Sequence, residues 1–124
     1  RLRDANILKA RGNELYKAKN YEEAIKAYTE SLSIAHPDLF KNSSQELMYK
    51  MAELNVALLQ NLAASYFAIG QFETAEKVAT QVLMINPKHF KALYRRALCL
   101  FELNRLEEAY QCIKDAYSID SSVG

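Results

Sequence analysis

The sequence contains an internal repeat, and this feature constrains the fold more than any other. Three stretches resemble one another: KNYEEAIKAY at 19–28, GQFETAEKVA at 70–79 and NRLEEAYQCI at 104–113. Each opens a helical pattern with an aromatic residue or leucine, then an acidic pair or Glu-Thr, then alanine. Ala75 and Ala109 are 34 residues apart, whereas Ala24 and Ala75 are 51 apart, which leaves 17 extra residues. A period of 34 is typical of helix-turn-helix solenoids, so we expect an all-α fold.

The composition agrees with one helical domain over residues 1–124. Only 3 Gly and 2 Pro are present, which leaves few turn positions, and half the residues are hydrophobic. A net charge of +1 gives no reason to expect nucleic acid or an anionic membrane as a partner. The cysteines, Cys99 and Cys112, lack metal-site spacing, and no secretory signal is visible, so we expect reduced thiols and a cytoplasmic location. Because the chain starts at Arg1 rather than Met, we expect it to be part of a longer protein.

With these motifs the chain resembles the tetratricopeptide repeat family over nearly its whole length. The repeats would span 5–38, 56–89 and 90–123, with a loop and helix extension at 39–55. The residues at family signature positions are Leu8, Gly12, Leu15, Ala24, Tyr28 and Ser31, then Leu59, Leu62, Ala63, Tyr66, Ala75 and Pro87, then Leu93, Ala97, Leu100, Ala109 and Ala116. Alanine replaces the usual glycine at Ala63 and Ala97, and repeat 3 lacks the final proline. The resemblance implies a right-handed superhelical α-solenoid.

Each repeat would consist of an A helix followed by a B helix. We expect A helices at about 4–18, 56–69 and 90–103, and B helices at about 21–35, 72–85 and 106–118. Asn20, Gly70-Gln71 and Asn104-Arg105 suit the turns within repeats, and Pro37 and Pro87 would end B helices.

The 17-residue insertion predicts a longer second A helix. Ser43 or Ser44 can serve as the N-cap, and apolar residues then recur at three- and four-residue steps. We expect this helix to begin near Ser44 and to run about 26 residues, since helix spacing continues into repeat 2. A long helix after an extended loop is similar to the tetratricopeptide domains of large immunophilins, the peptidyl-prolyl isomerase co-chaperones.

Charge is sorted between the two sets of helices. Apart from Asp4 at the first position of the first A helix, the A helices carry six basic residues against two acidic ones, a net of +4, and the B helices carry three against eight, a net of −5. The A-helix charges are Lys9, Arg11, Lys17, Lys91, Arg95 and Arg96 with Glu14 and Glu102. In the family the A helices line the concave groove, which implies a basic groove, an acidic back and an acidic ligand. The alternative is that these are solvated helix charges sorted by chance.

Repeat-equivalent positions bring five donors together. Lys91 and Arg95 are four residues apart, so on a helix these like charges share a face and repel each other. Asn61 is equivalent to Arg95, 34 residues earlier, and lies in an otherwise uncharged stretch where a buried amide would be costly. Lys9 and Asn13 are also four apart. We expect the five to converge on a polar ligand that relieves the repulsion.

These five residues resemble the dicarboxylate-clamp pattern of chaperone-binding tetratricopeptide domains. By that resemblance Lys9, Asn13 and Asn61 would hold the terminal carboxylate of a Glu-Glu-Val-Asp tail of the 90-kDa or 70-kDa heat-shock chaperones. Lys91 would meet the last Asp side chain, and Arg95 would bond the peptide backbone or a nearby acid. Tyr16 and Ala64, each three residues beyond a clamp asparagine, would border an apolar slot for the valine.

Other chemistries find little support in the sequence. His36 and His89 lack a second ligand at metal spacing, and no phosphate loop or catalytic triad can be assembled, so we expect no metal, no cofactor and no catalysis. Arg96 and Lys88 are predicted to be surface charges. Six tyrosines are predicted to pack in the core: Tyr16, Tyr21, Tyr28, Tyr66, Tyr94 and Tyr110.

Two functions therefore remain open. The first is a co-chaperone module that binds the acidic tail. The alternative is a structural scaffold that docks an internal helix or another subunit. We expect a monomer, in which Tyr110, Ile113 and Tyr117 of the uncapped last repeat leave an apolar surface through which a dimer would form.

Overall fold

The computed structural model describes residues 2–36 and 44–123, and its helices confirm the all-α prediction for these segments. The six helices are α1 Leu2–Lys17, α2 Tyr21–Ile34, α3 Gln45–Ala68, α4 Phe72–Ile85, α5 Phe90–Glu102 and α6 Leu106–Val123. Helices pack in the pairs α1–α2, α3–α4 and α5–α6, and α2–α3 and α4–α5 contacts join one pair to the next. The chain is thus a solenoid of three helical hairpins. None of the described helices is long and apolar enough to cross a membrane.

The three turns within hairpins have one shared geometry. The residue with positive φ is Lys19 (64°), Gly70 (81°) or Asn104 (62°). In each turn the next amide donates to a carbonyl five residues back; for example, Gln71 N bonds Tyr66 O at 2.9 Å. This is the Schellman arrangement, which satisfies the last carbonyls of the first helix. Glycine takes this conformation without cost, whereas Lys19 and Asn104 adopt it with a side chain. Asn20, as predicted, lies in the first turn, where it donates the amide of this bond and precedes α2 as its N-cap.

Helix α3 confirms the predicted extension of the second A helix. Ser44 is its N-cap, and the Ser44 hydroxyl accepts a hydrogen bond from Leu47 N at 3.2 Å. The helix is 24 residues long, close to the predicted 26. Helix α4 ends at Ile85 with Asn86 as its C-cap, just before Pro87, as predicted. The predictions for Pro37 and Ser43 lie outside the described residues.

Small side chains allow the hairpins to approach closely. Ala24, Ala63 and Ala75 are completely buried. Gly12 has a further role, because a Cβ at this position would lie 2.6 Å from Cε1 of Tyr28. No ring can tolerate that distance, so the glycine makes room for Tyr28 against α1.

One predicted surface charge is instead part of the interface between hairpins. The Arg96 guanidinium bonds the Glu76 carboxylate at 2.9 Å, and their side chains are only 25% and 9% exposed. Arg96 also contacts Thr80 Oγ1 at 3.1 Å and Cys112 Sγ at 3.0 Å. The surface prediction for Arg96 is therefore wrong, and Glu76 does not belong to an acidic outer face. Sequence counts missed this pair because its partners lie on different helices, 20 residues apart.

The predicted tyrosine core is only partly correct. Tyr28 is fully buried, but Tyr94 and Tyr110 are 56% and 64% exposed. Tyr94 lies on α5 and Tyr110 on α6, the two helices of the last described hairpin. Ile113 and Tyr117 are also exposed, at 53% and 72%, which confirms the predicted apolar surface on the final repeat.

Candidate functional site

The A helices α1, α3 and α5 lie side by side and line a cavity of about 530 Å³. Its lining residues are Asn13, Tyr16, Lys17, Tyr28, Gln60, Asn61, Ala64, Lys91 and Arg95. Four of the five predicted donors are among them, and so are both residues of the predicted apolar slot. The repeat explains this convergence, since equivalent positions on stacked A helices face the same side.

Lys9, the fifth predicted donor, is not in this cavity. It lines a separate cavity of about 410 Å³ together with Leu2, Asn6, Lys50, Glu53 and Leu54. Lys9 lies one helical turn before Asn13 on α1, so its Cα is on the same face. The direction of its long side chain, and not its place in the repeat, separates it from the other four.

Two asparagines are oriented by a hydrogen-bond chain across the first two hairpins. Asn13 Oδ1 accepts from the Tyr28 hydroxyl at 2.6 Å and from Asn61 Nδ2 at 3.0 Å. Both acceptor sites of that oxygen are thus used, and the Asn13 amide must point its Nδ2 elsewhere. Burial raises the pKa of Tyr28 to about 12, so its hydroxyl remains a donor at physiological pH. The side-chain amides of Asn13 and Asn61 are therefore already oriented to donate hydrogen bonds to an anion.

The cavity has a strongly positive lining. Its charged residues are Lys17, Lys91 and Arg95, and no acidic side chain is among the lining residues that the structure describes. Arg95 lies over the Phe67 ring, 5.2 Å from its centroid. A guanidinium on an aromatic face keeps its positive charge although the ring shields part of its surface from water. Such a site attracts a carboxylate through local field even though the chain is almost neutral.

Two further cavities adjoin the first and share its residues. One, of about 600 Å³, lies between α3, the end of α4 and the start of α5, and it shares Gln60, Asn61 and Lys91 with the first. The other, of about 230 Å³, shares Gln60, Lys91 and Arg95 and adds Phe90 and Tyr94. The three cavities therefore form one groove.

His89 forms the start of α5 beside this groove. Its Nδ1 accepts a hydrogen bond from Ala92 N at 3.1 Å, so the histidine is the N-cap of α5. Burial, and then the nearby positive charge of Lys91, lower the pKa of His89 below 6.5. Neutral His89 is the form that can accept this bond.

Sequence reasoning missed Tyr28 as a hydrogen-bond donor and Gln60, and it counted Lys17 in the basic groove without assigning it to the clamp. Tyr28 occupies a family signature position, but only the fold shows its hydroxyl next to Asn13. Gln60 lies one turn before Ala64, and Lys17 lies one turn after Asn13, so helical spacing alone could have suggested both.

The described residues offer little for other chemistry. They contain no group of three or more His, Cys, Asp or Glu side chains placed to hold a metal ion. Both cysteines are free and buried. Burial raises the pKa of Cys99 to about 11, which keeps this thiol protonated and weakly nucleophilic.

Fold and groove together define a helical-repeat domain with a cationic groove on its A helices. The chain belongs to the tetratricopeptide repeat family: family models described as tetratricopeptide repeat match residues 5–38 and 66–117.

Several characterised proteins are similar to this chain. The Hsp70/Hsp90 co-chaperone CNS1 of Saccharomyces cerevisiae is 32% identical over 105 residues, which is 85% of this chain and 24% of that protein. The second tetratricopeptide domain of Spaghetti (RPAP3), solved with the HSP90 peptide SRMEEVD, has a TM-score of 0.75 at 29% identity, covering 95% of this chain and 94% of that one. The C-terminal domain of PFL2275c of Plasmodium falciparum, described as an FK506-binding protein, has a TM-score of 0.84 at 27% identity, covering 97% and 79%. This chain spans 10% to 27% of the length of the curated relatives it matches.

Proposed function

We propose that this chain is a non-catalytic interaction module that binds the acidic C-terminal Glu-Glu-Val-Asp tail of the 90-kDa or 70-kDa heat-shock chaperones. The observation that carries the proposal is the shared cavity of Asn13, Asn61, Lys91 and Arg95, whose described lining contains three cations and no acid. A chain that ends in aspartate offers two carboxylates within one residue. Charge-assisted hydrogen bonds to carboxylates are about twice as strong as neutral ones.

We assign the roles of the residues by the resemblance to dicarboxylate clamps. Asn13 and Asn61 donate to the terminal carboxylate from amides already oriented by Tyr28. Lys91 pairs with the last aspartate side chain, and Arg95 bonds the peptide further along. Lys9 joins by rotation of its side chain from the neighbouring cavity, since it lies one turn from Asn13 on α1.

The remaining lining suits the penultimate valine. Tyr16 and Ala64 border the same cavity as the two asparagines. A small residue beside an aromatic ring leaves room for a branched aliphatic side chain. The comparisons support the same ligand, since the RPAP3 domain was solved with a peptide that ends in Glu-Glu-Val-Asp, and CNS1 is named a co-chaperone of Hsp70 and Hsp90. We propose the same co-chaperone role here, in the cytoplasm.

The test compares two peptides that differ only at the terminus. The peptide SRMEEVD with a free carboxylate is expected to bind with micromolar affinity, about −7 to −8 kcal/mol, by calorimetry. The C-terminally amidated form lacks one carboxylate and is expected not to bind. Added salt should weaken the binding of the free-acid peptide. Equal binding of both peptides would exclude the clamp.

A scaffold role is the second candidate, favoured by the exposed apolar side chains of the last hairpin. Tyr110, Ile113 and Tyr117 are all more than half exposed and could dock an internal helix or another subunit. In that case the groove would be incidental, and substitutions at Lys91 would leave partner binding unchanged. We expect the isolated chain to be a monomer, with this surface as the route to a dimer.

A further inference from the structure

Two buried polar atoms on the groove wall have no hydrogen-bond partner. Among the residues that the structure describes, these are Gln60 Oε1 and Arg95 Nε, an acceptor and a donor. Buried polar side-chain atoms are nearly always paired in folded proteins, so each exception calls for a reason. Both residues line the central cavity and the smaller cavity beside it.

Gln60 has a central position in the groove. It lines all three adjoining cavities, which no family-pattern residue except Lys91 does. Its terminal torsion is broad and soft, so the amide can turn and present Oε1 to the cavity without moving the helix. The oxygen breaks no hydrogen bond when it turns, because it has none in the free protein.

An unpaired acceptor and an unpaired donor that line the same cavities match the two polar groups of a peptide unit. An extended peptide exposes one N–H and one C=O per residue, whereas a helical segment uses these groups internally. Of the five residues of the predicted clamp, only the two asparagines carry a side-chain acceptor, and Asn13 Oδ1 is already occupied. Gln60 Oε1 is an unused acceptor on the same wall.

We infer that Gln60 is a specificity-determining residue that accepts a hydrogen bond from a main-chain N–H of the acidic ligand, while Arg95 donates to a carbonyl beside it. This inference rests on the proposed function. Together the two side chains select an extended acidic peptide over a helix, and they do so without reading ligand side chains.

The experiment combines a variant with backbone-modified peptides. Gln60→Met keeps the length and removes the acceptor, and SRMEEVD is prepared with an ester in place of each internal amide in turn. We expect Gln60→Met to weaken binding of SRMEEVD about tenfold, the effect of one hydrogen bond. One ester analogue should bind the wild-type chain about tenfold more weakly than SRMEEVD does. The same analogue and SRMEEVD should bind Gln60→Met with equal affinity. Such non-additivity identifies the N–H that Gln60 accepts.

Controls separate this role from a structural one. Gln81→Met makes the same change at an exposed position of α4 and should leave affinity unchanged. Gln60→Met should not lower the melting temperature, since Oε1 has no partner to lose. The inference would be overturned, and the clamp left intact, if Gln60→Met bound SRMEEVD as tightly as the wild-type chain does. It would also be overturned if every ester analogue lost the same affinity for both proteins. Absence of SRMEEVD binding to the wild-type chain would instead overturn the proposed function together with it.

Discussion

Asn61 Nδ2 donates a hydrogen bond to Asn13 Oδ1 across 3.0 Å, although the two residues are 48 positions apart in the chain. This bond joins the A helices of the first two hairpins at the groove. It also leaves the Asn13 amide as a donor, which is the polarity that a carboxylate requires. The two asparagine amides are thus oriented before any ligand binds.

Removal of either of the two α5 cations that line the groove should abolish peptide binding. Lys91→Ala and Arg95→Ala each delete a charge that has no carboxylate partner among the described side chains. A charged hydrogen bond contributes about 1.5–3 kcal/mol, so a micromolar affinity would fall below easy detection. Calorimetry gives the affinity, and circular dichroism should show unchanged helicity and melting temperature. Lys77→Ala, on the outer face in an exposed pair with Glu73, is the control; loss of fold in the α5 variants would make those residues structural.

Tyr28→Phe should weaken binding through Asn13 alone. The variant loses the 2.6 Å hydrogen bond that holds the Asn13 amide. We expect a loss of about 1 kcal/mol of unfolding free energy and a three- to tenfold weaker peptide affinity. Tyr117→Phe, at a side chain 72% exposed, is the matched control. An affinity equal to that of the wild type would show that Tyr28 does not position the amide.

Gly12→Ala should disturb the same contact by crowding. Its Cβ would lie 2.6 Å from Tyr28 Cε1, so the ring must shift, at a cost of about 1–3 kcal/mol. Both stability and peptide affinity should fall. Gly70→Ala is an informative comparison, because its φ of 81° strains an alanine while no atom lies within 4 Å. It should lower stability, by urea unfolding, and leave affinity intact; a Gly12→Ala protein with full affinity would contradict the packing argument.

The Glu76–Arg96 pair should stabilise the chain without affecting the ligand. Glu76→Ala leaves the Arg96 guanidinium half-buried without its partner and is expected to cost about 3 kcal/mol in urea unfolding. The double variant Glu76→Leu with Arg96→Met should recover much of that loss. Glu73→Ala removes only an exposed pair and should change stability by less than about 1 kcal/mol. A large change in peptide affinity would place the pair in the site instead.

Protonation of His89 should lower the free energy of unfolding in mild acid. Its pKa is lowered in the folded chain, so the unfolded chain binds a proton more readily, and stability decreases as pH falls from about 6.5 through the folded pKa. His89→Ser keeps an N-cap acceptor but does not titrate in this range. Thermal melts between pH 7.5 and 5 should therefore show a smaller decrease for the variant. Parallel curves for both proteins would rule out this role of His89.

The sequence predicted the helices and turns closely, and four of the five residues that it assigned to a clamp line one cavity. The period of 34 makes Asn61 and Arg95 equivalent, so stacking alone brings them to one surface. The same reasoning failed for Arg96 and Tyr94. A helix face can be assigned from spacing, but whether another helix covers that face depends on contacts between distant elements. Glu76 of α4 contacts Arg96, whereas Tyr94 lines the open groove.

What the sequence by itself determined is therefore the set of repeated elements and the residue types on each A helix, because helical periodicity and turn chemistry are local. Only the tertiary structure decided which atoms meet: Tyr28 with Asn13, Glu76 with Arg96, and Lys9 turned toward a separate cavity. These contacts depend on side-chain direction and on packing between helices distant in the chain. Neither quantity is encoded in the spacing of residues along one helix.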